Sequence, residues 1–161
     1  MEDMEKLDFY DVNSRYLKYL QIFDDKIPNT GYLANEKFFC GVVLKINGFN
    51  YYAPISSFKQ LQKTNFLIYD KTKPISSIRF CFMCPVPKSE LIRKDIKGIT
   101  DIHYKTLVNK ELKFCNLYRE QIVKKASQVY KIGTNPNHFY FKTCCNFKIL
   151  ELQCKAYKPK S

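Results

Sequence analysis

Lysine and serine side chains flank one predicted β-hairpin in a pattern that suits phosphate binding. Lys37 stands where the first strand of the hairpin begins, and Ser56, Ser57 and Lys59 follow the second strand. Ammonium and hydroxyl groups that converge on one point can bind a phosphate and stabilise negative charge that develops on it. Each residue also has an ordinary alternative role, because a serine after a strand often caps a helix and an exposed lysine is usually solvated.

The hairpin itself is predicted from an Asn47-Gly48 pair between two apolar runs, since this dipeptide is typical of a type I′ turn. The runs 37–46 and 49–55 are therefore predicted as its antiparallel strands. In such a pair the start of one strand lies beside the end of the other. We therefore expect the first lysine and the serines to lie at the same end of the sheet.

A second cluster of interest lies near the amino terminus, where Arg15, Tyr16 and Lys18 interleave aromatic and basic side chains. Asn13 or Ser14 is expected to cap a helix at this point. Tyr16 also fits the apolar stripe of that helix, where a tyrosine is normally a core residue. The residues alone leave both interpretations of Tyr16 open.

Composition favours a nucleic-acid partner. The 161 residues carry 27 Lys and Arg against 15 Asp and Glu, a formal net charge of +12. An excess of this size attracts polyanions. The 12 Tyr and 13 Phe favour unstacked bases, and therefore single-stranded RNA, over a closed duplex. The 45% hydrophobic content indicates a globular chain, and the length predicts one domain over residues 1–161.

Neither export nor membrane insertion is expected. No apolar run approaches the ~20 residues of a membrane span, and the amino terminus is acidic where a signal peptide would be basic. The seven cysteines are an odd number, which favours reduced thiols in a cytoplasm. We expect most of them to be small core residues.

Metal chemistry is a weak alternative. Cys81 and Cys84 form a C-x-x-C, which is the spacing of half a zinc site. The segment 79–84, however, is interpreted as a buried strand, in which these two side chains would face opposite sides. With two histidines far apart, His103 and His138, and with scattered carboxylates, we predict no metal site and no cofactor.

The chain as a whole is predicted to be α+β, with an antiparallel sheet and surrounding helices. The helix capped by Asn13 or Ser14 is expected to end at Pro28-Asn29. A short helix is expected over 57–61, and a long helical stretch over 101–133 that breaks near Asn116. Further strands are predicted at Leu7–Val12, Asn65–Tyr69, Ile78–Cys84, Phe139–Lys142 and Phe147–Leu152.

Several blocks resemble the ToxN/AbiQ family of endoribonuclease toxins from bacterial type III toxin–antitoxin systems, in its CptN-like form. The resemblance is carried by FYDVNSRYLKYLQIFDDKIPN (Phe9 to Asn29), KFFCGVVLKINGFNYYAPISSFK (Lys37 to Lys59), RFCFMCPVPKSEL (Arg79 to Leu91), YKTLVNKELKF (Tyr104 to Phe114) and CNFKILE (Cys145 to Glu151).

The resemblance implies a metal-independent endoribonuclease on a highly twisted antiparallel sheet, similar to the Kid/MazF toxins. Its partners would be a small repeated antitoxin RNA, which the toxin cuts and which then inhibits it in an RNA-bridged oligomer, and cellular or phage transcripts. DNA would not be a substrate. The catalytic residues implied are Tyr16, Lys37, Ser56, Ser57 and Lys59. RNA contacts are expected from Arg15, Lys18, Lys26, Tyr32, Lys113 and Arg119.

The residue types present and the family resemblance both favour a mechanism in which the 2′-hydroxyl of RNA attacks the adjacent phosphate. Products would carry a 2′,3′-cyclic phosphate and a 5′-hydroxyl. Ser57, helped by Ser56, and Lys59 would hold the phosphate, and Tyr16 would position the substrate or protonate the leaving oxygen. Lys37 would serve as base only if neighbouring cations or burial favoured its neutral amine. The alternative from another class is a basic RNA-binding module without catalysis.

Overall fold

A computed structural model describes residues 5–29 and 37–159 of the chain. Among these residues, seven strands form one sheet in which every pair is antiparallel. The strands are β1 (Asp8–Val12), β2 (Phe39–Ile46), β3 (Phe49–Ser56), β4 (Asn65–Asp70), β5 (Lys73–Arg79), β6 (Cys84–Pro85) and β7 (Leu91–Arg93). Their order is β4-β5-β3-β2-β1-β7, with β6 paired to β3. The predicted α+β class with an antiparallel sheet is confirmed.

The hairpin of β2 and β3 forms as predicted. Asn47 and Gly48 both have positive φ angles, of 54° and 81°, which a type I′ turn requires at its two central residues. The strands pair from Ile46↔Phe49 to Phe39↔Pro54, with a register shift between Gly41 and Leu44. Glycine is needed at position 41, because a Cβ there would collide with the ring of Tyr52.

Four helices surround the sheet in the described part of the chain. They are α1 (Ser14–Gln21), α2 (Ile102–Leu117), α3 (Arg119–Gly133) and α4 (Phe147–Ala156). Side chains cap three of them: the Asn13 oxygen accepts from the Arg15 N–H, Asp101 from His103 and Tyr104, and Asn146 from Ile149. One connected core of aromatic and aliphatic side chains fills the space between helices and sheet.

The long helical stretch divides where expected, with Tyr118 separating α2 from α3. Near this break, Asn116 connects the helix to the amino-terminal segment. Its side chain accepts from the Leu7 N–H at 2.9 Å and donates to the Leu7 carbonyl at 3.0 Å. The sequence predicts a helical stripe of apolar residues here, which is only partly buried: Ile102, Leu107, Leu112, Cys115, Tyr118 and Ile122. Ile102 is 69% exposed, and α2 instead buries Val108, Glu111 and Cys115.

The carboxyl-terminal strand predictions were wrong. Residues Phe141–Thr143 form a 3-10 turn where a strand was expected at 139–142, and the second expected strand is the helix α4. The Asn146 cap and the buried Phe147, Leu150 and Glu151, which recur at helical spacing, explain the helix. Aromatic and β-branched content misled the prediction because packing outweighs strand propensity here.

Two predictions in the middle of the chain also need correction. Residues 57–61 do not form the short helix that was expected. The strand predicted at 78–84 ends at Arg79, and Phe80–Phe82 is a 3-10 turn. The argument that Cys81 and Cys84 face opposite sides of one strand therefore fails.

The cysteines are confirmed as core residues, since all but Cys154 are buried and each is a free thiol. Burial raises the pKa of Cys144 to about 11, and it raises the pKa of Cys84 further still. Such thiols remain protonated and unreactive.

Candidate active site

Lys37 and the serines meet at one end of the hairpin, as predicted. The Ile55 N–H donates to the Phe38 carbonyl at 3.0 Å, one step beyond the Phe39↔Pro54 pair. The same register places Lys37 opposite Ser56. The Asn47-Gly48 turn at the far end and the register shift between Gly41 and Leu44 together set this pairing.

The loop Ser56–Lys59, hereafter the site loop, is held by hydrogen bonds on both sides. The Ser56 hydroxyl oxygen accepts from the Phe58 N–H at 3.1 Å, so that Ser56 closes a local turn. From β5, the Ser77 hydroxyl donates to the Phe58 carbonyl at 2.6 Å, and Ser77 also pairs with Ser56 in the sheet. These contacts fix the backbone of the loop while leaving Ser57 and Lys59 exposed.

The cations of the site are free to bind an anion. Lys37 and Lys59 are exposed, and neither forms an ion pair with a carboxylate in the described part of the chain. A phosphate bound beside the Ser57 hydroxyl would therefore meet ammonium groups that have no competing partner. This arrangement can bind a phosphodiester and stabilise added charge on it.

Tyr16 is not part of this exposed surface. It is fully buried, its hydroxyl donates to the Pro85 carbonyl at 2.6 Å, and its ring packs edge-on to Tyr157 at 4.9 Å. Burial raises the pKa of the Tyr16 phenol far above its ordinary value. The direct contact with substrate that was expected is corrected to a role in packing, because a residue without accessible surface reaches no phosphate.

Arg15 forms an ion pair within the protein. Its Nε and Nη2 donate to the two carboxylate oxygens of Glu90 at 2.8 and 2.9 Å, and the Glu90 side chain has no exposed surface. Tyr157 donates to the same carboxylate at 2.7 Å. This fork ties α1 to the segment before β7. The Arg15 side chain is still 50% exposed, so the RNA contact expected of Arg15 stays a prediction.

The other expected RNA contacts belong to different parts of the fold. Lys18 and Lys26 are exposed on and after α1, which packs against α4. Lys113 is exposed on α2, and Arg119 is partly buried where α3 begins. Tyr32 lies outside the described residues. The structure thus places Lys37 at the same end of the hairpin as the site loop, whereas the remaining cations lie on or next to helices.

Arg79 is a residue of the site that the sequence did not reveal. Its guanidinium lies over the rings of Phe58 at 4.5 Å and Phe82 at 4.8 Å, and its Nη2 donates to the Gln62 side-chain oxygen at 3.1 Å. It therefore supports the site loop from β5. The β3–β5 pairing that brings it there joins non-consecutive strands, so no hairpin signal in the sequence could have located it.

Among the described residues, no group of three or more histidine, cysteine, aspartate or glutamate side chains is arranged to hold a metal ion. In the same part of the chain, no helix is long and apolar enough to cross a membrane.

Comparison with known families identifies the fold and its relatives. The family model described as "Toxin ToxN, type III toxin-antitoxin system" matches residues 8–155. The chain belongs to the ToxN family. This confirms the resemblance seen in the sequence, and the matched range contains every residue of the candidate site.

ToxN-family relatives match over nearly the whole chain. Endoribonuclease AbiQ of Lactococcus lactis subsp. lactis is 32% identical, over 96% of this chain and 91% of its own. Endoribonuclease ToxN of Pectobacterium atrosepticum is 29% identical, over 89% of each chain. Both relatives are thus named as enzymes that cut RNA.

Solved ToxN-family structures share the fold. One, from work on selective inhibition of a type III toxin by a non-coding RNA pseudoknot, superposes with a TM-score of 0.88 at 28% identity, over 97% of this chain and 100% of its own. AbiQ, described as a lactococcal anti-phage endoribonuclease, gives a TM-score of 0.84 at 29% identity, over 95% and 98% of the two chains.

Proposed function

We propose that this protein is an endoribonuclease toxin that cuts single-stranded RNA at the site loop. The observation that carries the proposal is the exposed Ser57 and Lys59 on a backbone fixed by Ser56 and Ser77. Lys37 lies opposite them and has no carboxylate partner among the described residues. Relatives named as endoribonucleases over nearly the whole chain support the same activity.

The reaction is a transesterification within the RNA chain. The 2′-oxygen forms a bond to the adjacent phosphorus, the bond from phosphorus to the 5′-oxygen breaks, and one proton moves in effect from the first oxygen to the second. The products are a 2′,3′-cyclic phosphate and a 5′-hydroxyl. DNA lacks the nucleophile and stays intact.

The residues of the site supply charge stabilisation and orientation. The Ser57 hydroxyl and the Lys59 ammonium bind the non-bridging oxygens, whose negative charge increases as the phosphorus becomes five-coordinate. Lys37 is proposed to act in one of two ways: as an ammonium group it adds a second positive charge beside the phosphate, and as a neutral amine it accepts the proton of the 2′-hydroxyl. This chemistry needs no metal ion, since the nucleophile comes from the substrate and the stabilising charges come from lysines.

The proposed biological role is that of a toxin restrained by RNA. Structures of relatives describe inhibition by a non-coding RNA pseudoknot and a processed non-coding RNA in an antiviral system. For this chain we propose a cytoplasmic toxin that cuts its own repeated antitoxin RNA, is inhibited by the product in an RNA-bridged oligomer, and otherwise arrests growth or aborts phage infection.

The decisive experiment is cleavage of a long single-stranded RNA in EDTA, with the product ends mapped. Wild-type protein should give cyclic-phosphate and 5′-hydroxyl ends, and Ser57→Ala should cut about 100-fold more slowly. Ser14→Ala removes an equally exposed hydroxyl from α1 and should cut at the wild-type rate. Full activity of Ser57→Ala would remove this serine from the mechanism.

The same assay separates the enzyme from a non-catalytic RNA-binding module. If neither wild type nor variant cuts the RNA while both bind it, the lysines serve only to neutralise phosphates. Salt dependence alone would not decide, because both functions involve binding of a polyanion.

A further inference from the structure

A second surface feature lies beyond the site loop, between the edge strand β4 and the helix α2. It is a groove of about 860 Å³. Four of its lining residues are aromatic: Phe66, Tyr69, Phe114 and Tyr118. We refer to it as the aromatic groove. β4 is the last strand of the sheet on this side, so the groove lies at the edge of the sheet.

The rings of the groove form one continuous surface. Phe114 lies 6.3 Å from Phe66, 6.3 Å from Tyr69 and 4.5 Å from Tyr118, measured between ring centroids. Tyr69 and Tyr118 are 39% and 37% exposed, whereas the stacked Tyr130–Phe147 pair elsewhere in the protein is buried. Exposed, adjoining aromatic faces of this kind are the surfaces on which unpaired bases stack.

Lysines surround this aromatic surface. Lys71, Lys113 and Lys125 line the groove, and none of them forms an ion pair with a carboxylate among the described residues. Lys110 also lines it but is paired with Asp70 at 2.8 Å. An apolar floor with a positive rim matches a nucleotide, whose base is flat and apolar on its faces and whose phosphate is anionic. Charge complementarity therefore favours RNA as the occupant.

The groove also lies close to the site loop. Leu61 lines the groove and is four residues beyond Ser57, so that an extended chain between them spans at most ~14 Å. The intervening segment is fixed by Asn65, which accepts from the Gln62 N–H at 2.8 Å and donates to the Gln60 carbonyl at 2.9 Å. One RNA strand can therefore occupy both places.

We propose that the aromatic groove binds unpaired bases of the same RNA strand whose phosphate lies at the site loop. The inference rests on the proposed function, because it names where that substrate is recognised away from the bond that is cut. Tyr69, Phe114 and Tyr118 stack on the bases, and Lys113 and Lys125 neutralise the neighbouring phosphates.

The test measures binding without cleavage. An unstructured 2′-O-methyl RNA oligonucleotide has no free 2′-hydroxyl, so wild-type protein binds it but does not cut it. Tyr118→Ala and Tyr69→Ala should each weaken binding about tenfold, since stacking on an aromatic side chain contributes about that much per base. Tyr118→Phe keeps the stacking face and should bind as wild type does. Phe23→Ala removes an exposed aromatic side chain from outside the groove and is the matched control.

A second readout locates the contact directly. RNA that carries 5-bromouridine should cross-link on irradiation to peptides containing Tyr69 or Phe114. Binding of a closed RNA duplex should not differ between Tyr118→Ala and wild type, because paired bases are not available for stacking. Melting temperatures of all variants establish that each is folded.

The outcomes are distinct from those of the cleavage experiment. If wild type cuts RNA in EDTA but Tyr118→Ala and Tyr69→Ala bind as tightly as Phe23→Ala, the groove proposal is overturned and the proposed function stands. Cross-links confined to other surfaces would overturn it as well. If wild type leaves RNA intact, the proposed function fails, whatever the groove binds.

Discussion

Two basic regions of this protein look alike in sequence and differ in structure. Arg15, on α1, is engaged by both oxygens of Glu90, whose side chain is completely buried. Lys37 and Lys59, at the open end of the hairpin, have no carboxylate partner among the described residues. Arg15 is thus already paired with a carboxylate, whereas the two lysines are available to bind an anionic ligand.

The difference shows that the net charge of the protein overstates the number of cations that are available to bind RNA phosphates. Arg93 and Asp8 approach to 2.6 Å, and Lys110 and Asp70 to 2.8 Å, so these cations are also partly neutralised. A cation whose partner is a buried carboxylate cannot turn to a phosphate without leaving that carboxylate unpaired, which is costly. Unpaired lysines incur no such cost.

The largest effect that would test this comparison is on catalysis. Lys59→Ala should lower the rate of RNA cleavage about 100-fold or more, because it removes a charge that stabilises the transition state. Lys45→Ala is the matched control, since Lys45 is an exposed lysine of the same hairpin that pairs with Glu5. Single-turnover cleavage measures both, and equal rates for the two variants would exclude Lys59 from the site.

A smaller effect is expected on stability when Arg15 is removed. Arg15→Ala leaves the buried Glu90 carboxylate with the Tyr157 hydroxyl as its remaining side-chain partner in the fork, and the free energy of unfolding should fall. Urea unfolding measures this loss. An unchanged unfolding curve together with weaker RNA binding would instead show that Arg15 contacts RNA.

The pH dependence of stability should separate Glu90 from a second buried carboxylate, Glu111. The hydrogen bonds from Arg15 lower the pKa of Glu90, so its contribution is present above its ordinary pKa and is lost as the pH falls through the lowered value. Glu111 accepts a hydrogen bond from Ser76 at 2.6 Å and has no arginine fork. Burial raises its pKa from 4.5 to about 6.

Glu111 makes the stability depend on pH in the opposite direction. Between pH 4.5 and about 6 the folded protein binds the Glu111 proton more strongly than the unfolded chain does, so stability falls as pH rises through this window. Glu111→Gln should lose that decline, and Glu90→Gln should be less stable than wild type above the same window. Urea unfolding at several pH values distinguishes the two variants. If the free energy of unfolding varied with pH in the same way in both, the two carboxylates would not differ as proposed.

The smallest effect is on the salt dependence of RNA binding. For single strands, each phosphate neutralised adds about 0.7 to the slope of log K against log salt concentration. Lys59→Ala should reduce the slope by about that amount, whereas Arg15→Ala should leave it unchanged. Equal reductions in the two variants would mean that both cations bind phosphate.

Local sequence signals predicted the elements around the site well. The Asn47-Gly48 turn predicted the β2–β3 hairpin and the end of it at which Lys37 and the serines lie, and Asn13 capped α1 as expected. These predictions succeeded because turn and cap chemistry depends on a few adjacent residues. The assignment of α4 as a strand failed, because the face that it buries is chosen by packing.

The amino-acid sequence by itself determined the family, the hairpin, and the serines and lysines at its end. Only the tertiary structure decided that Arg15 pairs with a glutamate 75 positions away. It also decided that Tyr16 is buried, with its hydroxyl donating to the Pro85 carbonyl, and that Arg79 supports the site loop. Adjacent residues fix turns and caps, whereas burial and ion pairing depend on contacts between distant segments. The availability of a cation for RNA is therefore a property of the fold.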